Sequence, residues 1–247
     1  MSRVLQAVAA FGMLAVLAVD ARATDQGAID RAVARGVGAL RRLRQENGTW
    51  PCDQIGATAL AGLTLLECGV RADDPDVRRA AEAVRGAGIE ANQTYSLSLS
   101  ILFLDRLGDA QDIPLIESMT VRLLGGQDAG SGGWSYTCPR LGPDEVRRLR
   151  EHLRQRNELE GRRQPPREPG KRRTVQDLPR EIRQQLDRVG RAQAGGAGVG
   201  GGTDNSNTQF AVLALWVARR HGLPVEQALA RIDARFRTSQ NADGGWS

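Results

Sequence analysis

Three of the four tryptophans end closely related segments, which read QENGTW up to Trp50, QDAGSGGW up to Trp134 and QNADGGW up to Trp246. Each segment follows an apolar stretch with helical periodicity. Recurrence at about the length of a helical hairpin is typical of repeat proteins, in which each unit buries its face against the next. The sequence therefore predicts stacked helix pairs.

In each turn, we expect the glutamine to bond backbone amides of the next helix start and the tryptophan to fill the gap between pairs. The residues predicted to be structural in this way are Gln45, Trp50, Gln127, Trp134, Gln240 and Trp246.

Two classes of helix alternate between these turns. Residues 28–44 carry an apolar stripe opposite arginines, and similar amphipathic stripes begin near Val77, Ile113 and Val225. Three fifteen-residue segments between them are apolar almost all round, and they close on Gly69, Gly108 and Gly222. A helix that is apolar on every side is buried on every side, and a terminal glycine is typical of a left-handed cap. The pattern predicts an all-α fold, a partial α/α toroid of about seven helices with buried inner helices inside outer ones.

The tryptophan turns resemble those of the prenyltransferase and squalene oxidase repeats in the terpenoid cyclase and protein prenyltransferase superfamily. Squalene and hopene cyclases carry a motif of glutamine, glycine and tryptophan, and two turns match its spacing. The matching residues are Gln45, Gly48 and Trp50 in the first turn, and Gln240, Gly244 and Trp246 in the last. The turn at Trp134 has a longer gap. The resemblance covers roughly residues 26–138 and 203–247, and it implies a toroid of helices.

The catalytic signatures of that superfamily are missing from this sequence. No DxDDTA motif, which cyclases use to protonate an alkene, occurs. Cys52 and Asp53 stand at an inner-helix mouth, but no histidine completes the Asp, Cys and His zinc triad of prenyltransferases. We therefore predict no metal and no cofactor. Asp53 and Asp204 remain weak catalytic candidates: each is either a helix N-cap or an acid facing an apolar pocket.

Polar residues gather where the inner helices begin, at the mouth of the expected cavity. The predicted ligand-binding residues there are Asn92, Thr94, Tyr95, Asn205, Asn207 and Thr208. Two functions stay open. One is a noncatalytic binding or scaffold module that takes an apolar small molecule or a protein partner. The alternative is a squalene-hopene cyclase-like enzyme acting on an isoprenoid or another lipid, with catalytic residues partly in sequence beyond the chain.

The net charge of +5 is concentrated in one insertion, residues 139–202. It holds 16 Arg and Lys residues against 9 Asp and Glu, so the remainder of the chain is close to neutral. We therefore expect no nucleic-acid partner. Two amphipathic segments, near residues 144–159 and 178–189, flank a proline-rich stretch. The insertion is either a solvated, poorly ordered loop or a lid over the cavity.

Residues 1–23 resemble a secretory signal peptide, with Arg3 before an uncharged apolar run and a small-x-small cleavage pattern at Ala21. We therefore expect export to the periplasm or the extracellular space, with no transmembrane segment after cleavage. Residues 24–138 and 203–247 would form the toroid. Since the sequence stops in mid-repeat, we expect either a fragment or a ring completed by self-association. In an exported chain, Cys52 and Cys138 either form a disulfide or remain thiols.

Overall fold

A computed structural model describes residues 25–159, 173–196 and 202–246. The predicted signal peptide, the proline-rich stretch at 160–172 and residues 197–201 of the glycine-rich stretch lie outside the described residues. Over the described ranges the protein has nine α-helices and no β-strand, which confirms the all-α class. The helices are α1 (Gln26–Leu43), α2 (Ile55–Glu67), α3 (Pro75–Gly88), α4 (Thr94–Leu107), α5 (Ile113–Gly126), α6 (Pro143–Leu159), α7 (Arg180–Ala194), α8 (Asn205–Ala218) and α9 (Glu226–Thr238).

The chain divides into two compact units between Leu40 and Arg41, within α1. The described part of the first unit is the helix from residue 26, preceded by Asp25. Asp25 closes the first turn, because its Oδ1 accepts the Gly27 N–H at 3.0 Å. No residue of α1 is buried. The amphipathic helix predicted for residues 28–44 is present.

In the second unit, α2, α4 and α8 lie side by side, and we call these three helices the row. Small residues permit the close approach of α2 and α4. A Cβ added to Gly56 would meet the Ser96 Cα at 3.1 Å, and one added to Gly62 would meet the Phe103 ring at 2.6 Å. Any larger residue at Gly62 would therefore displace the ring. The row corresponds to the three segments predicted to be buried helices.

Left-handed glycines follow each helix of the row, as the sequence predicts. Gly69, Gly108 and Gly222 have φ values of +83°, +79° and +83°. Residues other than glycine are strained in this region, so these positions explain why the three segments end where they do. Over the described residues, no helix has the length and apolarity that a bilayer span needs.

Helices α3 and α5 form a second layer behind the row: α3 packs on α2 and α4, and α5 packs on α4 and α8. The predicted apolar stripe of α3 is buried, including Val77 and Val84. Helix α5 differs from the amphipathic outer helix that the sequence predicts. Nearly all of its residues are buried, and these include the charged Glu117 and Arg122. The covering layer comes from the insertion.

Both described parts of the insertion are helical, and α7 packs on α5 while α6 packs on α3. The two amphipathic helices predicted there are confirmed as α6 and α7. A solvated loop does not describe residues 143–159 and 173–196, because Leu149, Leu178 and Ile182 are buried. These three apolar residues are too few for a separate core, but they complete the core that α5 already forms.

A partly buried cluster of ion pairs fastens the insertion to the second layer. The Arg85 guanidinium binds Asp112 with N–O distances of 2.6 and 2.7 Å, and Arg156 of α6 reaches Asp109 at 2.7 Å. Burial acts to raise the pKa of Asp109, but the hydrogen bonds from Arg156 and from the Gln111 backbone N–H lower it below its ordinary value. Burial raises the pKa of Asp112 despite its Arg85 partner. Since α6 supplies a partner to this cluster, the insertion belongs to the folded body.

The buried apolar contacts of α7 predict a measurable contribution to stability. Ile182→Ala removes a completely buried side chain, so we expect the free energy of unfolding to fall by about 2 to 5 kcal/mol. Val175→Ala, at a position that is 42% exposed in the same insertion, should change it by less than about 0.5 kcal/mol. Urea unfolding of both variants measures the difference. Equal small effects would show that the insertion does not stabilise the fold.

Candidate functional site

Trp134 joins the end of α5 to the start of α8. Its side chain is completely buried, and its Nε1–H donates to the Leu123 carbonyl at 2.7 Å. Its backbone N–H donates to Thr208 Oγ1 at 3.1 Å, and its carbonyl accepts the Asp204 N–H at 3.1 Å. The insertion leaves and re-enters the fold beside this residue. The indole therefore has the structural role that the sequence predicts.

The other two tryptophan turns repeat parts of this geometry. The Trp50 N–H donates to Thr58 Oγ1 at 3.1 Å, as Trp134 does to Thr208. The Trp246 Nε1–H donates to the Phe236 carbonyl at 2.7 Å, as Trp134 does to Leu123. The three segments thus share a fold as well as a sequence pattern.

The glutamines of the turns bond differently from the prediction. Gln127 Nε2 donates to the carbonyls of Gly132 and Ala228, both at 2.9 Å, and Gln240 Nε2 donates to the Gly244 carbonyl at 2.9 Å. Gln45 Oε1 accepts the Thr49 hydroxyl at 2.9 Å. The glutamine therefore closes its own turn, and Gln127 also reaches α9, whereas we expected it to bind the amides of the next helix start.

The two weak catalytic candidates have different surroundings. Asp204 is the N-cap of α8, where Oδ1 accepts the Asn207 N–H at 2.7 Å and Oδ2 accepts the Asn207 side-chain amide at 2.5 Å. Asp53 is exposed, and the N-cap of α2 is the next residue, Gln54, whose side chain makes no capping bond. The capping interpretation is thus right for Asp204 and wrong for Asp53. Neither carboxylate faces a dry pocket.

Two predicted ligand-binding residues at the start of α4 bind a neighbouring segment of the chain. The buried Thr94 hydroxyl donates to the Ser135 carbonyl at 2.5 Å, and Asn92 Nδ2 reaches the Cys138 carbonyl at 3.5 Å. The N-cap of α4 is the next residue, Gln93, whose side chain makes no capping bond. These contacts hold residues 135–138 against the start of α4.

Of the predicted residues at the start of α8, two are buried and one is not. Asn207 and Thr208 are fully buried, and Thr208 Oγ1 donates to the Asp204 carbonyl at 2.7 Å. Asn205 is half-buried, and its Oδ1 accepts from Arg235 at 3.2 Å. Tyr95 is half-buried; its ring contacts Phe210 at 5.0 Å between ring centroids, and its hydroxyl bonds the exposed Ser206 hydroxyl.

An apolar surface lies on the row, and the sequence analysis did not identify it. Leu60, Leu213 and Trp216 are 46%, 45% and 61% exposed, although they belong to helices that the sequence predicts to be buried on every side. Leu63 and Leu102 are partly exposed. We call these five residues together with Leu99 the apolar face.

The internal repeat places these residues at equivalent positions. Leu60, Leu99 and Leu213 each stand nine residues before the capping glycine of their helix. Leu63, Leu102 and Trp216 each stand six residues before it. A spacing of three residues puts both positions on one side of a helix. Counting back from the capping glycines finds these equivalent positions in the sequence, but it does not show which of them are exposed, because Leu99 is buried.

Polar pairs border the apolar face at the far end of the row. Arg106 Nε donates to Glu67 at 2.6 Å, which joins α4 to α2. Asp105 binds both Arg220 and His221, the latter at 2.8 Å, which joins α4 to α8. At the near end, Tyr95 and Ser206 join α4 to α8. The face is therefore an apolar strip between two polar borders.

The described residues contain no cluster of His, Cys, Asp and Glu suited to a metal ion.

All three cysteines are free in the structure, so the Cys52–Cys138 disulfide considered from sequence is not formed in it. Cys52 is exposed in a turn, whereas Cys138 is buried with Sγ 3.5 Å from Thr94 Oγ1. Burial raises the pKa of the Cys138 thiol to about 11.

Comparisons with known proteins assign no family: no protein-family model, no curated protein and no solved structure matches this chain.

The contrast between Asp204 and Asp53 predicts unequal effects on stability. Asp204→Ala removes the acceptor of the Asn207 N–H, so we expect the free energy of unfolding to fall by about 1 kcal/mol. Asp53→Ala should change it by less than about 0.5 kcal/mol, because Asp53 is exposed and caps no helix. Urea unfolding measures both, and an equal loss in the two variants would contradict the capping geometry.

The cysteine environments predict unequal reactivity. In the folded protein without reductant, Cys52 should react with a thiol reagent at pH 8, whereas Cys138 should react only after unfolding, because burial blocks access and disfavours the thiolate. Mass spectrometry of alkylated peptides identifies the modified residues. Recovery of peptides in which Cys52 and Cys138 are linked to each other would show that the protein forms the disulfide after all.

Proposed function

We propose that the chain is an exported, noncatalytic binding protein of the α/α-toroid class, and that it takes an apolar small molecule on the apolar face. The observation that carries this proposal is the exposure of Leu60, Leu213 and Trp216 at repeated positions of α2 and α8, the two helices that flank α4 in the row. Contiguous exposed apolar surface on a folded protein marks an interaction site. Each exposed leucine gains free energy when a ligand removes it from water, at roughly 25 cal/mol per Å².

Trp216 is suited to anchor such a ligand. A large aromatic side chain offers much contact area for little loss of conformational freedom, which is why tryptophan is enriched among residues that dominate binding. The guanidinium of Arg219 lies 4.6 Å from the centroid of its ring. A cation over one face of the indole fixes the ring, and the exposed remainder is available to a ligand.

The dimensions of the face favour an elongated ligand. Tyr95 at the near end and Arg106 at the far end are eleven residues apart on one helix, which corresponds to roughly 16 Å along its axis. The polar borders would contact a polar end group, whereas the strip between them would contact a hydrocarbon chain. An isoprenoid or a similar lipid chain has this combination of length and polarity.

Binding is better supported than catalysis by the placement of the acidic candidates. Both carboxylate oxygens of Asp204 accept hydrogen bonds from Asn207, and Asp53 is exposed. An acid strong enough to protonate an alkene requires a dry apolar site, and neither residue has one.

The repeated tryptophan turns support the proposed superfamily and the toroid. Two of the turns match the spacing of the motif in squalene and hopene cyclases, and the packing of α3 and α5 behind the row supports an arrangement of inner and outer helices. In that arrangement the apolar face would line the central cavity. The signal-like sequence at residues 1–23 supports export.

The proposal predicts that wild-type protein binds N-phenyl-1-naphthylamine, an uncharged apolar probe, and that farnesol displaces it. Leu213→Asp should weaken binding of both compounds at least fivefold, since an exposed leucine contributes about 1 kcal/mol when covered and a carboxylate is costly to desolvate. Probe fluorescence measures both affinities.

Leu43→Asp is the matched control. Leu43 is 57% exposed but lies on α1, outside the row, so this change should leave the affinity within about twofold. Circular dichroism and urea midpoints confirm that both variants fold. If Leu213→Asp binds the probe as tightly as Leu43→Asp does, the apolar face is not the binding site.

A further inference from the structure

A cleft of about 350 Å³ lies between the Trp134 turn and α9, away from the apolar face. Residues 129–132 of the turn form one wall, and Arg231, Arg235 and Thr238 contribute to the other. This volume exceeds that of a phosphate group, which leaves space for a small organic part attached to it. The cleft is open to solvent on one side, so a ligand can enter without rearrangement of the fold.

Backbone contacts fix the glycine-rich wall. Gly132 has φ +73°, and a Cβ there would approach the Arg231 carbonyl to 2.8 Å, so only glycine fits. The Asp128 carboxylate accepts the Ser131 N–H at 2.7 Å and closes the turn. A Cβ on Gly133 would come to 3.1 Å from the Arg235 guanidinium carbon. The turn is therefore shaped around the two arginines.

Arg231 and Arg235 stand one helical turn apart, so both project from the same side of α9. Two like charges at this spacing repel each other, which costs about 0.2 to 0.5 kcal/mol on an isolated helix. Fork-shaped guanidinium groups held side by side can each donate two N–H groups to one oxyanion. An anion bound between them would turn the repulsion into attraction.

The hydrogen-bond partners of both arginines are neutral. Arg231 Nη1 donates to Gln193 Oε1 at 2.7 Å and to Gln127 Oε1 at 3.2 Å. The Arg235 partners are the Ser131 carbonyl at 3.3 Å, Thr203 Oγ1 at 3.2 Å and Asn205 Oδ1 at 3.2 Å. All three are long for bonds from a charged donor. The buried Nε–H of Arg235 has no acceptor among the described residues.

The Asp128 carboxylate influences this cluster but does not neutralise it. Asp128 interacts electrostatically with Arg235, but its Oδ1 bonds the turn backbone, chiefly the Ser131 N–H, which lowers the pKa of Asp128. Two guanidinium groups against one carboxylate leave the cleft positive. The buried Arg85, in contrast, has a short carboxylate partner, Asp112, at 2.6 Å.

The first tryptophan turn shows that the fold itself does not require this pair. Gly48 has φ +84° and packs on the Arg79 carbonyl of α3, as Gly132 packs on that of Arg231 in α9. The residue that follows Arg79 by one helical turn is Ala83, where α9 has Arg235. The second arginine is therefore a property of the cleft and not of the repeated turn.

We propose that the cleft between the Trp134 turn and α9 is a binding site for a phosphate group, held by the guanidinium groups of Arg231 and Arg235. The group could belong to a free phosphate ester or to the headgroup of a phospholipid, since the contacts are the same. This site is separate from the apolar face and does not depend on the function proposed for it.

The test is titration of the full chain with inorganic phosphate at constant ionic strength, with chloride as the replaced anion. Calorimetry should show saturable binding below about 10 mM, and the melting temperature should rise with phosphate. Arg235→Gln should weaken binding at least tenfold, and Arg235→Lys should weaken it less, because lysine keeps the charge but loses the fork. Arg79→Gln should bind as wild type does.

Vesicles identify the source of the phosphate group. If vesicles of phosphatidate in phosphatidylcholine recruit the wild-type protein, and free phosphate competes with them, the ligand is a lipid headgroup. If free phosphate binds but the vesicles do not, the ligand is a soluble phosphate ester. Both results support the site. If phosphate stabilises the wild-type protein no more than chloride does, the proposal is overturned. This outcome is measured on the wild type and does not depend on whether a variant folds. Equal loss of binding in Arg79→Gln and Arg235→Gln, with both folded, also overturns it.

Discussion

The buried indole of Trp134 and the backbone around it connect the end of α5 to the start of α8. Its ring N–H satisfies a carbonyl near the end of α5, and its backbone pairs with Asp204 and Thr208 at the start of α8. A buried carbonyl without a donor would cost about 1 to 3 kcal/mol. Since Gln127 adds bonds to Gly132 and α9, one turn holds three helices in register. The long insertion is tolerated because its two ends meet at this fixed point.

Ion pairs help to hold the insertion on the fold, because the insertion buries little apolar surface of its own. Arg173 reaches the buried Glu117 at 2.7 Å, and burial raises the pKa of Glu117 in spite of that partner. Buried ion pairs are often no more stabilising than apolar contacts of the same volume, but loss of one partner is strongly destabilising. Such pairs therefore favour one docking position over others. The arginines of the basic insertion therefore complement the buried carboxylates in and near α5.

Much of the fold could be predicted from the sequence because its signals are local. Gly69, Gly108 and Gly222 mark helix ends through backbone sterics that operate in any context. The cap at Asp204 follows the same kind of rule, but Asp53 shows its limit, since Gln54 occupies the N-cap position without a side-chain bond. Capping propensity identifies a residue type, whereas the path of the chain decides which residue stands at the position.

The parts that sequence reasoning missed depend on contacts between distant segments. Burial of α5 on all sides requires α7, which lies more than fifty residues further along the chain. The direction of the Gln127 bonds depends on where α9 meets the turn. Exposure within apolar helices is equally nonlocal, because Leu99 is buried while its repeat equivalents Leu60 and Leu213 are exposed. Periodicity specifies that a helix has several apolar sides, but only its neighbours specify which side stays open.

The start of α8 connects the two surfaces for which we propose ligands. Ser206 bonds Tyr95 at the edge of the apolar face, and the preceding Asn205 accepts from Arg235 at the cleft. Adjacent residues on a helix point in different directions, so one turn can serve two faces without sharing a side chain. The N-cap at Asp204 fixes that turn and thereby the position of both side chains. The same capping bond thus positions polar contacts for an apolar ligand on one side and for an anionic group on the other.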